Sequence, residues 1–127
     1  MENNKSALGL DQNINALLCY IIGIIALINV FIEKDNKFVR FHSFQSLLLF
    51  AVYIVGVVLL VILGAIAAIM ANVSGALAAI IGIVVVIMWF VVIFGFLGAI
   101  IYCAIKAYGG NKFKLPVIGN LAEKFAA

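Results

Sequence analysis

Between positions 43 and 105 the chain carries no Asp, Glu, Lys, Arg or His. A membrane crossing needs only about 20 mostly apolar residues, so this one stretch is long enough to cross a bilayer more than once. A soluble fold of the same length would need polar faces at helical or strand period to meet water. Runs such as Val57–Leu63 and Ile80–Phe94 are apolar all round.

Composition agrees: 68% of residues are hydrophobic and 10% charged, with a mean hydropathy of +1.33, against roughly half and a quarter in soluble domains. Val and Ile also suit strands. A membrane barrel, however, alternates lipid-facing apolar residues with polar ones facing its lumen, and that alternation is missing. The expectation is an all-α, polytopic transmembrane helical bundle forming a single membrane domain over residues 1–127.

Three spans are predicted, over about residues 14–32, 43–71 and 76–105, with a cytoplasmic loop 33–42 and a cytoplasmic tail 106–127. The first follows Asp11-Gln12-Asn13 and closes on Glu33-Lys34-Asp35-Asn36-Lys37. A cleaved leader is not expected there, because such segments have a basic start, a shorter apolar core and a small-residue cleavage site, whereas this one opens with Glu2, Lys5 and Asp11. Asn72-Val73-Ser74-Gly75 is the one polar break in the uncharged stretch and supplies the second turn. The helices on either side, about 43 Å and 45 Å long at 1.5 Å per residue, exceed a hydrocarbon core of about 30 Å. A fourth span or a re-entrant piece therefore stays open.

Short cytoplasmic loops collect Lys and Arg. Three spans put Lys34, Lys37, Arg40, Lys106, Lys112, Lys114 and Lys124 on one side against Lys5 alone, which predicts the N-terminus outside and the C-terminus inside. In the tail, Gly109-Gly110 is expected to end the last span in a left-handed conformation, and Pro116 to impose an extended approach. Asn120 is the expected N-cap of a short helix over 121–125. Phe113, Leu115, Val117 and Ile118 are expected to rest on the membrane surface beside Lys112 and Lys114.

Intramembrane ionisable groups mark ion paths, relays and intramembrane catalysis, and residues 43–105 have none. No metal-binding HExxH, GxSxG elbow, phosphate loop or CxxC pair occurs either, so neither enzyme activity, a metal nor a cofactor is expected, and no nucleic-acid partner. Cys19 and Cys103 are expected near opposite membrane faces, about 20 Å apart in depth, beyond disulfide reach of about 7 Å. Each belongs to a stripe of small residues: Ala16, Cys19, Gly23 and Ala26 on the first span, and Gly95, Ala99, Cys103 and Ala107 on the third. Such stripes let membrane helices approach closely, so these faces are expected to pack together, with self-association as the other use.

Arg40, His42, Gln45 and Ser46, set among Phe38, Phe41 and Phe44, together with Lys114, Pro116 and Glu123 of the tail, are the candidate residues for contact with a partner or lipid. Arg can snorkel to phosphates and Gln or Ser can bond across helices, for instance to Asn29; Arg40 and Glu123 are expected to pair. A lone His42 is expected to serve interface hydrogen bonding rather than a metal. Asn4-Lys5-Ser6 and Asn72-Val73-Ser74 match the glycosylation pattern, which is common by chance.

Leu10-Asp11-Gln12-Asn13, Leu17-Leu18-Cys19-Tyr20, the FVRFH-x-x-QS block at 38–46, Ala107-Tyr108-Gly109-Gly110 and the KLPVIGNLAEK tail at 114–124 together resemble an uncharacterised prokaryotic membrane family grouped as Tic20-like, of the DUF4870 or UPF0132 type. The resemblance covers nearly the whole chain. It implies a multi-pass protein of the cell membrane; the chloroplast import component that lends the name is usually drawn with four spans. The function expected is that of a non-catalytic scaffold or accessory subunit linked to peptide or protein passage, with membrane lipids and other membrane proteins or itself as partners. The alternative is a small oligomeric channel or transporter for ions, lipids or small molecules.

Overall fold

The computed structural model describes residues 5–127; Glu2 and Asn4, with the first glycosylation pattern, lie outside the described residues. Among the described residues five helices follow in order: α1 (Gln12–Ile21), α2 (Gly23–Ile32), α3 (Lys37–Met70), α4 (Gly75–Tyr108) and α5 (Ile118–Ala126). The chain is all-α; among the described residues the sole β feature is an isolated bridge between Lys5 and Asp11. It divides into two compact units, one formed by Met1–Phe50 with Gly98–Ala127, the other by Ala51–Leu97.

The expected first span is not one helix. The run Ile21-Ile22-Gly23-Ile24 joins β-branched residues to glycine, all weak helix formers, and the helix breaks at Ile22, whose φ of −120° and ψ of 89° are not helical. The chain then turns back. The Asn15 and Asn29 amides bond each other, and Asn36 Nδ2 donates to Gln12 Oε1 at 3.0 Å. The two ten-residue helices thus form an antiparallel hairpin reaching about 15 Å, half of what a crossing needs. Ala7 N donates to Glu33 Oε2 at 2.5 Å, so the N-terminal arm lies beside the 33–36 loop, and the expectation that these two sit on opposite sides of a membrane is corrected. Apolarity alone suggests a span because the amides that tie the hairpin, Asn15 and Asn29, are too few to interrupt it.

Glycine at position 23 lets the hairpin bend pack tightly: a Cβ there would come within 3.0 Å of the Phe50 ring. The break leaves α1 carbonyls without helical partners. Ile22 N takes that of Leu18 at 2.7 Å, and Ser46 Oγ donates to that of Cys19 at 2.5 Å.

Helix α3 starts six residues before the expected span. Asn36 caps it, its Oδ1 accepting from Val39 N at 3.1 Å, and the polar FVRFH-x-x-QS block forms its first turns instead of a loop. Helix α4 closes as expected: Gly110, at φ +79°, donates to the Ala107 carbonyl while Asn111 N reaches that of Lys106, the paired bonds of a left-handed glycine cap.

The second unit is a helical hairpin closed at residues 71–74, where the break was expected. Ser74 Oγ accepts from Leu77 N at 3.3 Å and caps α4. Tyr53 and Phe96 stack with centroids 4.1 Å apart, and Gly56 faces Val92. Leu60 and Val85 are its buried residues. In the most apolar windows of α3 and α4 only 11% and 6% of residues are buried. These are not core helices of a soluble fold, whose apolar residues are mostly covered; both are long and apolar enough to cross a membrane.

Candidate functional site

The first unit gathers the polar side chains. Among the described residues, every buried polar one, namely Ser6, Asn15, Asn29, Glu33, His42, Ser43, Gln45 and Ser46, belongs to it. Burying such groups costs free energy unless they are hydrogen-bonded, and here they bond one another and the backbone.

Gln45 is the centre. Its Nε2 donates to the Phe113 carbonyl at 2.9 Å and to Tyr20 Oη at 2.8 Å, while its Oε1 accepts from Leu115 N at 3.0 Å. A carbonyl and an N–H on the tail fix which end of the amide is which. The pattern is that of a parallel β-pair: one amide bonds the carbonyl before Lys114 and the N–H after it. Gln45 therefore stands in for one residue of a strand. Consistent with an extended segment, alternate side chains point apart. Phe113 and Leu115 pack on the cluster of Ala16, Tyr20, Cys103, Ala104 and Ala107, and Lys114 is exposed.

Because Tyr20 Oη accepts from Gln45, its own proton is free for His42 Nδ1, 2.8 Å away. That leaves the His42 proton on Nε2. The imidazole is boxed edge-on by Tyr20, Phe38 and Phe41, and Nε2 is buried without a hydrogen bond although the Asn111 backbone faces the ring. A second polar layer sits beside it: Asn29 Nδ2 donates to Cys19 Sγ at 3.2 Å, and Cys19 Sγ lies 3.3 Å from Ser43 Oγ.

Arg40 does not pair with Glu123. Its Nη1 donates to the Glu33 carbonyl at 2.5 Å and its Nε to the Ala126 carbonyl at 3.3 Å, so it caps α5 and ties it to the first loop. Glu123 instead pairs with Lys114 and, at 3.6 Å, Lys112. These partners are nearer along the tail, and the bond from Lys114 together with both lysine charges holds the Glu123 carboxyl below its ordinary value.

The tail also corrects other expectations. Helix α5 begins at Ile118, after Val117, leaving Asn120 inside the helix. Phe113 and Leu115 are packed against the core cluster instead of lying on a membrane. After Pro116 the chain makes a three-residue γ-turn: Ile118 N reaches the Pro116 carbonyl at 2.7 Å, and Val117 sits at φ 65°, ψ −54°. This conformation is rare, and for a β-branched residue costs on the order of 1–3 kcal/mol. Gly119 packs on Lys114 so closely that a Cβ would lie 2.5 Å from the Lys114 Cβ.

Of the small-residue stripes, Ala16, Cys19, Ala26, Cys103 and Ala107 are buried, and Ala16 meets Cys103 and Ala107 in one cluster. Gly95 is exposed and Ala99 half-buried. The two cysteines are free and do not occupy opposite faces: Cys103 clusters with Tyr20, next to Cys19 in sequence. Sequence reasoning overlooked Tyr20, Asn15 and Glu33. Glu33 is a buried carboxylate taking the Ala7 and Asn36 amides; in sequence it is one charge among five loop residues. Beside it a cleft of ≈ 850 Å³ is lined by Lys5, Lys34 and Lys37 but also by Glu33 and Asp35.

An all-helical protein with two membrane-length apolar helices, little buried along their length, is an integral membrane protein by class. Its relatives agree. The chain is 37% identical over 123 residues to UPF0132 membrane protein MJ1443 of Methanocaldococcus jannaschii, covering 96% of this chain and 94% of that one. It is 32% identical over 120 residues to UPF0132 membrane protein MJ1527 of the same organism, covering 94% and 73%. No family model matches the chain, and no solved structure matches it. The chain belongs to the UPF0132 membrane protein family.

Proposed function

We propose that this is a multi-pass protein of the cell membrane that crosses twice, by α3 and α4, with both termini in the cytoplasm, and that it acts as a non-catalytic scaffold or accessory subunit. The observation that supports the reading most is the distribution of charge. All eight basic residues belong to the first unit, and residues 51–97 contain no charged residue. With the α1–α2 hairpin turning back, the basic residues need no division between two sides, and the preference of Lys and Arg for the cytoplasm is met by all of them.

Two features favour a scaffold. The buried polar groups are largely committed to internal bonds, and the crossing helices offer apolar surface with no polar stripe to line a path. The motifs that resemble Tic20-like proteins support a partner that handles polypeptide at the membrane. Cysteines placed at Ala7, Asn111 and Val73 test the topology: Ala7 and Asn111 are expected to label from the cytoplasm and Val73 from outside, and labelling of Ala7 from outside restores a third crossing. In-membrane cross-linking from Lys112 and Lys124 is expected to retrieve a partner, and the purified chain in liposomes to pass no ions or small solutes. A conducting homo-oligomer overturns the scaffold in favour of a channel.

A further inference from the structure

We infer that the surface beneath the tail is a receptor for an extended segment of a partner polypeptide, gripped by Gln45 as residues 113–115 are gripped now and carrying apolar side chains two positions apart. The inference rests on the scaffold reading and names the form its partner takes.

Three observations carry it. First, Gln45 binds only main-chain groups of its occupant. This is how an exposed sheet edge takes an added strand: backbone bonds hold the peptide, and pockets for alternate side chains select it. Here the pockets hold Phe113 and Leu115, lined by Tyr20, Cys103 and Ala107, with Tyr102 edge-on to Phe113 at 4.9 Å.

Second, the tail is built to leave as a folded piece. Its ion pairs join Lys112, Lys114 and Glu123, and Gly119 packs on Lys114; all of these lie within the tail and survive its departure. What holds it to the rest, beyond Gln45 and the two apolar side chains, includes the Arg40 bond to Ala126, Lys112 over the Phe41 ring, the Asn111 backbone facing His42 and the packing of Phe41, Phe44 and Leu48 against α5. An element that keeps its own internal bonds can open as a unit before the core does. Gly109-Gly110, with Gly110 at φ +79°, lies just before the gripped segment and supplies the pivot.

Third, the resident occupant is handicapped. To reach α5 it must place Val117 in the unfavourable γ-turn. Another copy's tail would bring the same turn, whereas a foreign segment with the same apolar spacing avoids it. This favours a different polypeptide over exchange of tails between copies.

The test uses the full chain in lipid nanodiscs and a labelled peptide, Asn-Lys-Phe-Lys-Leu-Pro, which lacks the turn. Binding is expected to strengthen about tenfold when Ala122→Glu undocks α5, and to fall at least tenfold when Gln45→Ala is added or the peptide's Leu amide is N-methylated. Replacing the peptide's outward second Lys by Gln is expected to change nothing. Binding indifferent to both Gln45→Ala and N-methylation overturns the inference. Hydrogen exchange on the unmodified chain provides a reading independent of variants: the Leu115 amide is expected to exchange by an opening that leaves the α3 amides protected, and exchange of Leu115 only together with α3 overturns it. Cross-links from one copy's tail to a second copy's Gln45 surface also overturn it, in favour of tail exchange. If cross-linking retrieves a partner that avoids the Gln45 surface, the scaffold stands and this inference fails; if no partner is retrieved, the scaffold itself fails.

Discussion

The two units of this chain solve the same problem with opposite materials. In Ala51–Leu97 the helices satisfy the backbone by their own bonds and the side chains are almost all apolar and mostly exposed, the pattern that suits helices in a membrane. In the other unit the packed interior sets polar side chains among apolar clusters, and a branched set of side-chain bonds joins the hairpin, the start of α3 and the tail. The difference shows where specificity resides. Apolar helices in lipid gain little from touching one another, because lipid tails are as apolar as leucine. A Gln that is satisfied by Tyr20 and by a carbonyl and an N–H on either side of one residue holds the segment it grips in one register.

The largest expected effect falls on the polar unit. Phe41 is fully buried, under the His42 ring and against Ala122 and Ala126. Phe41→Ala is expected to cost about 3–5 kcal/mol, read as a lower midpoint in denaturant titration from detergent, together with loss of protection in α5. An equal loss from Leu59→Ala would erase the contrast between units. Leu59 is 55% exposed and its truncation is expected to be nearly silent. Charge at the same place is not silent: Leu59→Lys is expected to cost about 2.5–3.5 kcal/mol of insertion free energy if it lies at the centre of a crossing helix, measured by the inserted fraction during synthesis.

Gln45→Ala comes next, at about 1–3 kcal/mol, because it leaves the Phe113 carbonyl and Leu115 N–H with no partner from α3. Gln45→Glu sharpens the test. It keeps an acceptor for Leu115 N and loses the donor to Phe113, so a result no different from Gln45→Ala would show that the donor side carries the clamp.

How far the sequence foretells all this follows the same division. The uncharged stretch, the 71–74 turn and the Gly110 cap are legible because each depends on local chemistry: apolar run length, turn formers, a residue free at positive φ. The first span misleads for a tertiary reason. Whether Asn15 and Asn29 are lone polar residues on a crossing helix or a bonded pair across a hairpin depends on a bend at Ile22 that hydropathy does not register. The nearness of the FVRFH-x-x-QS block to the tail can be suspected from charge and motif, but the bonding cannot. Arg40 and Glu123 offer the obvious pairing, whereas Gln45, which carries no charge, is what holds the two together. Small-residue spacing locates Ala16, Cys103 and Ala107 but overruns into Gly95, where an added Cβ would meet no atom within 4 Å.

A change in the opposite direction tests the tail directly. Val117→Gly removes the penalty of a β-branched residue at φ 65° and adds some freedom to the unfolded chain, which offsets about 0.5–1 kcal/mol of the gain. The net expectation is a stabilisation of about 1 kcal/mol, confined to the tail and seen as slower exchange at Leu115. Destabilisation by this substitution would mean that the turn is not strained where it stands.

The smallest effect is electrostatic and lies at the exposed edge of the polar unit. Glu123 takes a hydrogen bond from Lys114 and the charges of Lys114 and Lys112, which lower its pKa. For a carboxyl whose folded value is depressed, the stabilisation is complete above the unfolded value, about 4.3 for Glu, and is lost as pH falls through the folded one. The tail is therefore expected to keep its order unchanged from neutrality down to about pH 5 and to loosen only in more acid solution. Because the pair is exposed, added salt is expected to weaken it as well. Since all three partners belong to the tail, acid is expected to fray the start of α5 while the Leu115 amide stays held by Gln45. A carbon-detected titration of Glu123 with its midpoint at or above the ordinary carboxylate value would remove this pair from the tail, and Glu123→Gln is expected to abolish the acid response while leaving α3 and α4 untouched.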